Sequence, residues 1–212
     1  MSLLLMSIAA GNLMTLPVLE TGSLKPTFKA EMNEGGSAAV ELRVTVSPAG
    51  VPIHCSRGFV NGPTANADAL CTMIQAQARY APARDALGRP AYGAIYLWNH
   101  WKHGRWTGNE LPSWDPVDLA LGTNKMPGKF AEGSIFRLIL QADASGAVES
   151  CMVTTERVPA QVADLLCREA ATAPATAATD DHGAAVPSVQ EFNVRLTSQS
   201  LVDNLVKRLR RQ

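Results

Sequence analysis

The four cysteines fall into two pairs with one spacing. Cys55 to Cys71 and Cys151 to Cys167 each span 16 residues, and the second pair follows the first by 96. The neighbours keep that register: "ADALC" at 67–71 falls on "ADLLC" at 163–167, and Gly50 falls on Gly146. A shift shared by thiols, glycines and apolar residues is an internal repeat, and its length divides the 212 residues into two units of roughly domain size. Each unit is small for a hydrophobic core, so a covalent staple would help it. Four cysteines admit three connectivities. If the units fold alike, the repeat selects Cys55–Cys71 and Cys151–Cys167, each closing a loop worth about 3 kcal/mol against the unfolded chain. Such pairs belong to an exported, disulfide-bearing protein. A zinc site would want close ligand pairs such as C-x-x-C, which are absent, so no metal is expected.

In "VELRVTV", Val40, Leu42, Val44 and Val46 alternate with Glu41, Arg43 and Thr45, the period-two pattern of a half-buried strand. "SPAG" turns the chain, with Gly50 free to take positive φ, and "VPIHCSRG" returns as a second strand carrying Cys55. From Thr64, the residues Ala67, Leu70, Cys71 and Ile74 recur at helical spacing, which predicts a helix with Cys71 on its buried face. After Pro82, Gly88 and Pro90, "AIYLW" is a third strand. The second unit repeats the plan with "IFRLILQA", "DASG", "AVESC", a helix at "VPAQVADLLCREA" and a closing strand "EFNVRL". Pro174 comes four residues sooner after Cys167 than the counting from Pro82 requires, which predicts a second helix about one turn shorter. Extra entry strands are expected at "KPTFKAEM" and "DPVDLALG". The reading is an α+β chain of two tandem units, each a small antiparallel sheet with one packed helix in the order strand-strand-helix-strand. Its parts are a leader or signal-like segment over 1–23, units over 24–108 and 109–196, and a C-terminal amphipathic helix over 197–212 with Leu201, Val202, Leu205 and Leu209 as its stripe.

Nineteen basic and nineteen acidic side chains give no net charge, which argues against a nucleic-acid partner. The basic end "KRLRRQ" reads as the solvated last turns of a helix, with contact to an anionic membrane as the alternative. No apolar run approaches the roughly 18 residues a membrane span needs, so no transmembrane anchor is expected. The opening "LLLMSIAA" has an apolar stretch followed by small residues but no basic start. A shortened signal sequence and an ordinary apolar segment both stay open for it.

The stretches "VTVSPAGVPIHC", "ADALCTMIQAQARYAPARDALGRP" and "AIYLWNHW" over about 40–101, and "LILQADASGAVESCMV" to "FNVRL" over about 136–196, resemble the C-terminal periplasmic domain of TonB energy transducers. The resemblance implies a periplasmic location and a binding mode in which an extended peptide from an outer-membrane transporter lies beside the last strand. In physical terms this is β-augmentation. The chain shows neither the transmembrane helix nor the long Pro-rich spacer of a full transducer, so binding rather than energy transduction is what carries over.

The expected peptide-binding edge is Glu191, Phe192, Asn193, Val194, Arg195 and Leu196, because an alternating strand suits a solvated edge. Trp98, Trp101, Trp106 and Trp114 fall within seventeen residues, either burying the junction between units or forming an aromatic binding surface. His54 stands beside a disulfide cysteine, and His100 and His103 lack a third ligand at a recognisable spacing. Asp180, Asp181 and His182 are the one constellation that would suit a small periplasmic hydrolase. With no G-x-S-x-G, P-loop or Rossmann glycines, the expectation is a binding or adapter module, not an enzyme and without cofactors. A self-assembling structural protein is the remaining alternative, and the sequence leaves the oligomeric state undetermined.

Overall fold

The computed structural model describes residues 13–24, 30–31, 36–108, 117–124, 130–173 and 175–198. Its first half contains β1 (Val18–Leu19), β2 (Ser37–Val46), β3 (Pro52–Asn61), α1 (Ala65–Gln77), β4 (Tyr80–Ala81), β5 (Ala83–Arg84), β6 (Pro90–Lys102) and β7 (Arg105–Gly108). Its second half contains β8 (Leu119–Thr123), β9 (Ile135–Ala142), β10 (Val148–Val153), α2 (Ala160–Thr172), β11 (Ala178–Thr179), β12 (Ala185–Val186) and β13 (Ser188–Ser198). The fold is α+β. Both disulfides link an outer strand to a helix, with Cα separations of 5.5 Å for Cys55–Cys71 and 5.6 Å for Cys151–Cys167, inside the range such bridges tolerate.

The halves share one sheet. Its main strand order is β10-β9-β13-β6-β2-β3, and the centre is a parallel pairing of β13 with β6 over Ser188–Tyr92, Val189–Gly93 and Gln190–Ala94. Residues paired across strands share a face of the sheet. Val44 pairs with Ile95 and Leu42 with Leu97, and these pack with Leu70 and Ile74 of α1. Ala94 therefore lies on the opposite face, and so does its partner Gln190, which shares that face with Phe192, Val194 and Leu196. These three pack with Leu166 of α2. The two helices thus cover opposite faces of the sheet.

Each half also clasps the other. The hairpin of β5 with the start of β6 brings Ala83 against Ile139 and Val189 of the second half, joined by Met14. The Ala86 N–H donates to Gln141 Oε1 at 2.9 Å. In return the Arg43 guanidinium donates to Gln190 Oε1 and to the Thr176 carbonyl, and it lies over the Tyr96 ring.

Four turns reuse one design. In Ser47–Val51, Asp85–Arg89, Asp143–Ala147 and Asp180–Ala184, the N–H of the first residue donates to the carbonyl of the fifth, and the fourth residue, a glycine, donates back to the carbonyl of the first. Those glycines all sit at φ between 77° and 86°, a region that disfavours any side chain. An added Cβ would also fall on the Tyr80 carbonyl oxygen at Gly50 and on the Ala175 carbonyl oxygen at Gly146.

Several expectations need correction. Both helices have thirteen residues: α1 stops well before Pro82 because Tyr80 leaves to bond the Gly50 carbonyl, and Leu19 and Val18 pair with Tyr80–Ala81. That pairing also builds residues 13–24 into the fold, with Met14 only 2% exposed. "DPVDLALG" supplies β8, which pairs parallel with β13. Most of "KPTFKAEM" and the C-terminal stretch 199–212 lie outside the described residues, while Thr197 and Ser198 end β13 rather than opening a helix.

Candidate functional site

The closing strand expected to be an open edge lies inside the sheet. On one side, residues 188–195 of β13 pair with β9. On the other, β6 covers Ser188–Gln190 and β8 covers Val194–Ser198. Between them the strands splay, and side chains fill the gap. The Asn193 N–H donates to Asp118 Oδ2 at 2.7 Å, the Asp118 N–H donates to the Asn193 carbonyl at 2.9 Å, and the Tyr96 hydroxyl donates to Asp118 Oδ1 at 2.7 Å. The Tyr96 N–H reaches Glu191 Oε2 at 3.5 Å. Phe192, Val194 and Leu196 are buried in the second core, Asn193 is buried, and Glu191 and Arg195 are half-buried. The Glu191 carboxylate and the Asn193 main chain meet this seam instead of water.

Three carboxyl groups, Glu41, Asp118 and Glu191, act on one another across the seam. Burial pushes the Glu41 carboxyl up, helped by the charges of Asp118 and Glu191. Burial likewise pushes Glu191 up, against the Tyr96 N–H and the Arg137 charge. Burial and the hydrogen bond to Asp118 push the Tyr96 phenol up.

The edges of the sheet are elsewhere. Among the described residues β3 pairs only with β2, and β10 only with β9. β3 is ten residues long and β10 six. The Gln75 side-chain amide donates to the Ile53 carbonyl at 3.4 Å, which marks Ile53 as pointing away from β2. By the alternation of an antiparallel ladder, Cys55 and Arg57 point outward with it, while His54 and Ser56 face β2. A register shift between Val40 and Leu42 then makes a bulge at Gly58–Phe59, where the Glu41 carboxylate lies so close that a Cβ on Gly58 would be 2.6 Å from it. Bulges blunt an edge against indiscriminate pairing, and β10 carries one too, between Val148 and Ser150.

The aromatic cluster divides. Trp98 and Trp101 are 4% and 1% exposed, and Trp101 packs in the first core rather than at the junction of the halves. Trp106 is 41% exposed on β7, and Trp114 lies outside the described residues. The β6–β7 hairpin escaped the sequence reading, although "WKHGRW" mirrors itself about a His-Gly pair. His100 Nδ1 lies 3.1 Å from Thr107 Oγ1, and among the described residues no group of three His, Cys, Asp or Glu side chains is placed to hold a metal ion.

Asp180, Asp181 and His182 form the tip of the β11–β12 hairpin. Asp180 Oδ1 accepts the His182 and Ala184 N–H groups, both at 2.9 Å, as Asp85 Oδ1 accepts those of Leu87 and Arg89. Asp180 is the counterpart of Asp85, 95 residues on, and its carboxylate is engaged in building the turn. Asp181 and His182 stand exposed, 3.8 Å apart.

No family model, curated protein or solved structure matches this chain. Two closed disulfides fit an extracytoplasmic compartment, and no described helix is long and apolar enough to cross a membrane.

Proposed function

We propose that this chain is a periplasmic binding or adapter module, built from two tandem copies of a TonB-C-terminal-like unit, that captures an extended protein segment by β-augmentation at the outer edge of β3. The observation that carries the reading is the ten-residue β3 with a strand on one side only among the described residues. Its outward main-chain groups at Cys55 and Arg57 supply affinity without demanding a particular partner sequence. The Cys55–Cys71 bridge holds the strand against α1, so the edge is already ordered when a partner arrives and less entropy is lost on binding. The fitting partner is a segment of an outer-membrane transporter.

The test is an amide-resolved titration of the oxidised protein with synthetic peptides from the periplasm-facing segments of such transporters. Shifts are expected to centre on Ile53–Arg57. Arg57→Pro removes an outward donor and should abolish capture, whereas Arg57→Ala should weaken it only modestly. Shifts confined to 191–196, or equal binding by the proline and alanine variants, would refute the edge.

A further inference from the structure

One end of the sheet gathers cations and exposed rings. β6 and β7 are joined by His103 and Gly104, at φ 47° and 76°, the tight two-residue turn whose twist matches that of its strands. The His103 N–H donates to the Gly36 carbonyl at 2.7 Å and pins the tip. Lys102 pairs with Arg105, so these two side chains leave one face, while Trp101 pairs with Trp106 on the other. The Trp106 indole is fixed by donation to Asn99 Oδ1 at 3.3 Å, yet 41% of the residue stays exposed. Phe59, 40% exposed, is two residues from the same end of β3. Two acids near this end have partners of their own: Asp68 lies 3.5 Å from Arg57, and Glu132 accepts the Ser198 N–H and hydroxyl. Among the described residues Lys102 and Arg105 form no ion pair. Because β13 runs parallel to β6, the chain also leaves Ser198 from this end, and the sequence that follows carries Lys207, Arg208, Arg210 and Arg211 against the single acid Asp203.

We propose that the β6–β7 end of the sheet docks on an anionic lipid surface, with Trp106 entering the headgroup layer and Lys102 and Arg105 meeting lipid phosphates. Indole rings favour that depth, and each Lys or Arg near an anionic leaflet adds about 1 kcal/mol. The opposed faces decide between partners. An acidic peptide in one groove would meet the cations or the ring but not both, whereas a headgroup layer surrounds a projecting hairpin on both sides.

Flotation of the full oxidised chain with vesicles tests this, comparing phosphatidylcholine alone with phosphatidylcholine mixed with phosphatidylglycerol. Binding is expected only to the mixed vesicles and should weaken steeply with added salt. Lys102→Glu with Arg105→Glu should reduce it about tenfold or more, and Lys102→Gln with Arg105→Gln by a smaller factor. Trp106→Ala should also weaken it, with Trp106→Phe intermediate. A saturating amount of the transporter-derived peptide should leave vesicle binding unchanged, which separates this docking from peptide capture at β3. Failure of the wild-type chain to float with mixed vesicles overturns the proposal. So does equal binding by the charge-reversed variant with a native circular dichroism spectrum, or capture of an acidic peptide at Lys102 and Arg105 without lipid binding.

Discussion

Helix α1 buries Asn66, Ala67, Leu70, Met73 and Ile74, whereas α2, of the same length, buries only Val162, Leu166 and Ala170. The first helix is also tied to the chain before it. The Glu31 N–H donates to Asn66 Oδ1 at 2.9 Å, and Asn66 Nδ2 donates to the Glu31 carbonyl at 2.7 Å. The second helix rests on a single stripe at i, i+4 and i+8. One plan therefore stands at two packing depths, and the thinner half depends more on its disulfide and on the sheet it shares. Equal helix length does not imply equal anchorage.

The largest effect should come from removing the staples. Replacing both cysteines of one pair by serine is expected to cost about 2 to 5 kcal/mol. Cys151→Ser with Cys167→Ser should lower the denaturant midpoint further than Cys55→Ser with Cys71→Ser, and equal midpoints would break the comparison. Intact protein should unfold in one transition, since β6 and β13 make the halves one sheet; two separated transitions would show them to be independent.

Next come Gly50→Ala and Gly146→Ala. Both force a side chain into positive φ and onto a carbonyl oxygen, so each should cost on the order of 1 to 3 kcal/mol, measured by thermal melting. Here the halves should respond alike. A tolerated alanine at either site would show that its turn is not held as its counterpart is.

Smaller again are Asp85→Ala and Asp180→Ala, which remove turn-closing acceptors worth about 0.5 to 1.5 kcal/mol per bond. Asp85 should be the costlier, because its other oxygen also takes the Arg89 Nε–H at 2.8 Å. Burial works against the Asp85 charge, but the Arg89 guanidinium and the Arg89 and Leu87 N–H groups more than offset it and hold the carboxyl below its ordinary range. That stabilisation is complete above the unfolded carboxyl's pKa and fades as pH falls toward the lowered folded one.

The smallest change concerns Glu41, whose carboxyl is pushed up by burial and by its acidic neighbours. A raised carboxyl contributes stability that is fully present below the unfolded pKa and lost as pH rises through the folded one. Glu41→Gln should therefore raise the melting midpoint at neutral pH, with the gain vanishing in mild acid. A variant that melts lower at neutral pH would mean the Glu41 charge has a partner that outweighs burial.

Local pattern carried much of the architecture. The alternation of Val40, Leu42, Val44 and Val46, the glycines at 50 and 146 and the repeated cysteine spacing led to the hairpins, the helices and both disulfides. What joins the halves was not legible. Three parallel pairs between Tyr92–Ala94 and Ser188–Gln190 leave no periodicity in either segment, and Glu191 and Asn193 look the same in sequence whether they meet water or the seam beside Asp118. Pro174 misled because Tyr80, not Pro82, ends the first helix segment. The role of Asp180 was readable and overlooked, since "DALG" at 85–88 and "DDHG" at 180–183 share spacing and glycine.

The parallel seam also sets an order of events during synthesis. The first half completes its hairpin and helix from neighbouring segments, but the side of β6 that receives β13 stays bare until residues made some 96 positions later arrive. At roughly 5 to 20 residues per second of synthesis, that strand waits on the order of 5 to 20 seconds with Tyr92, Gly93 and Ala94 unpaired on that side. A nascent chain halted within α2 would present the same bare strand permanently, and a second halted chain would offer it an identical one.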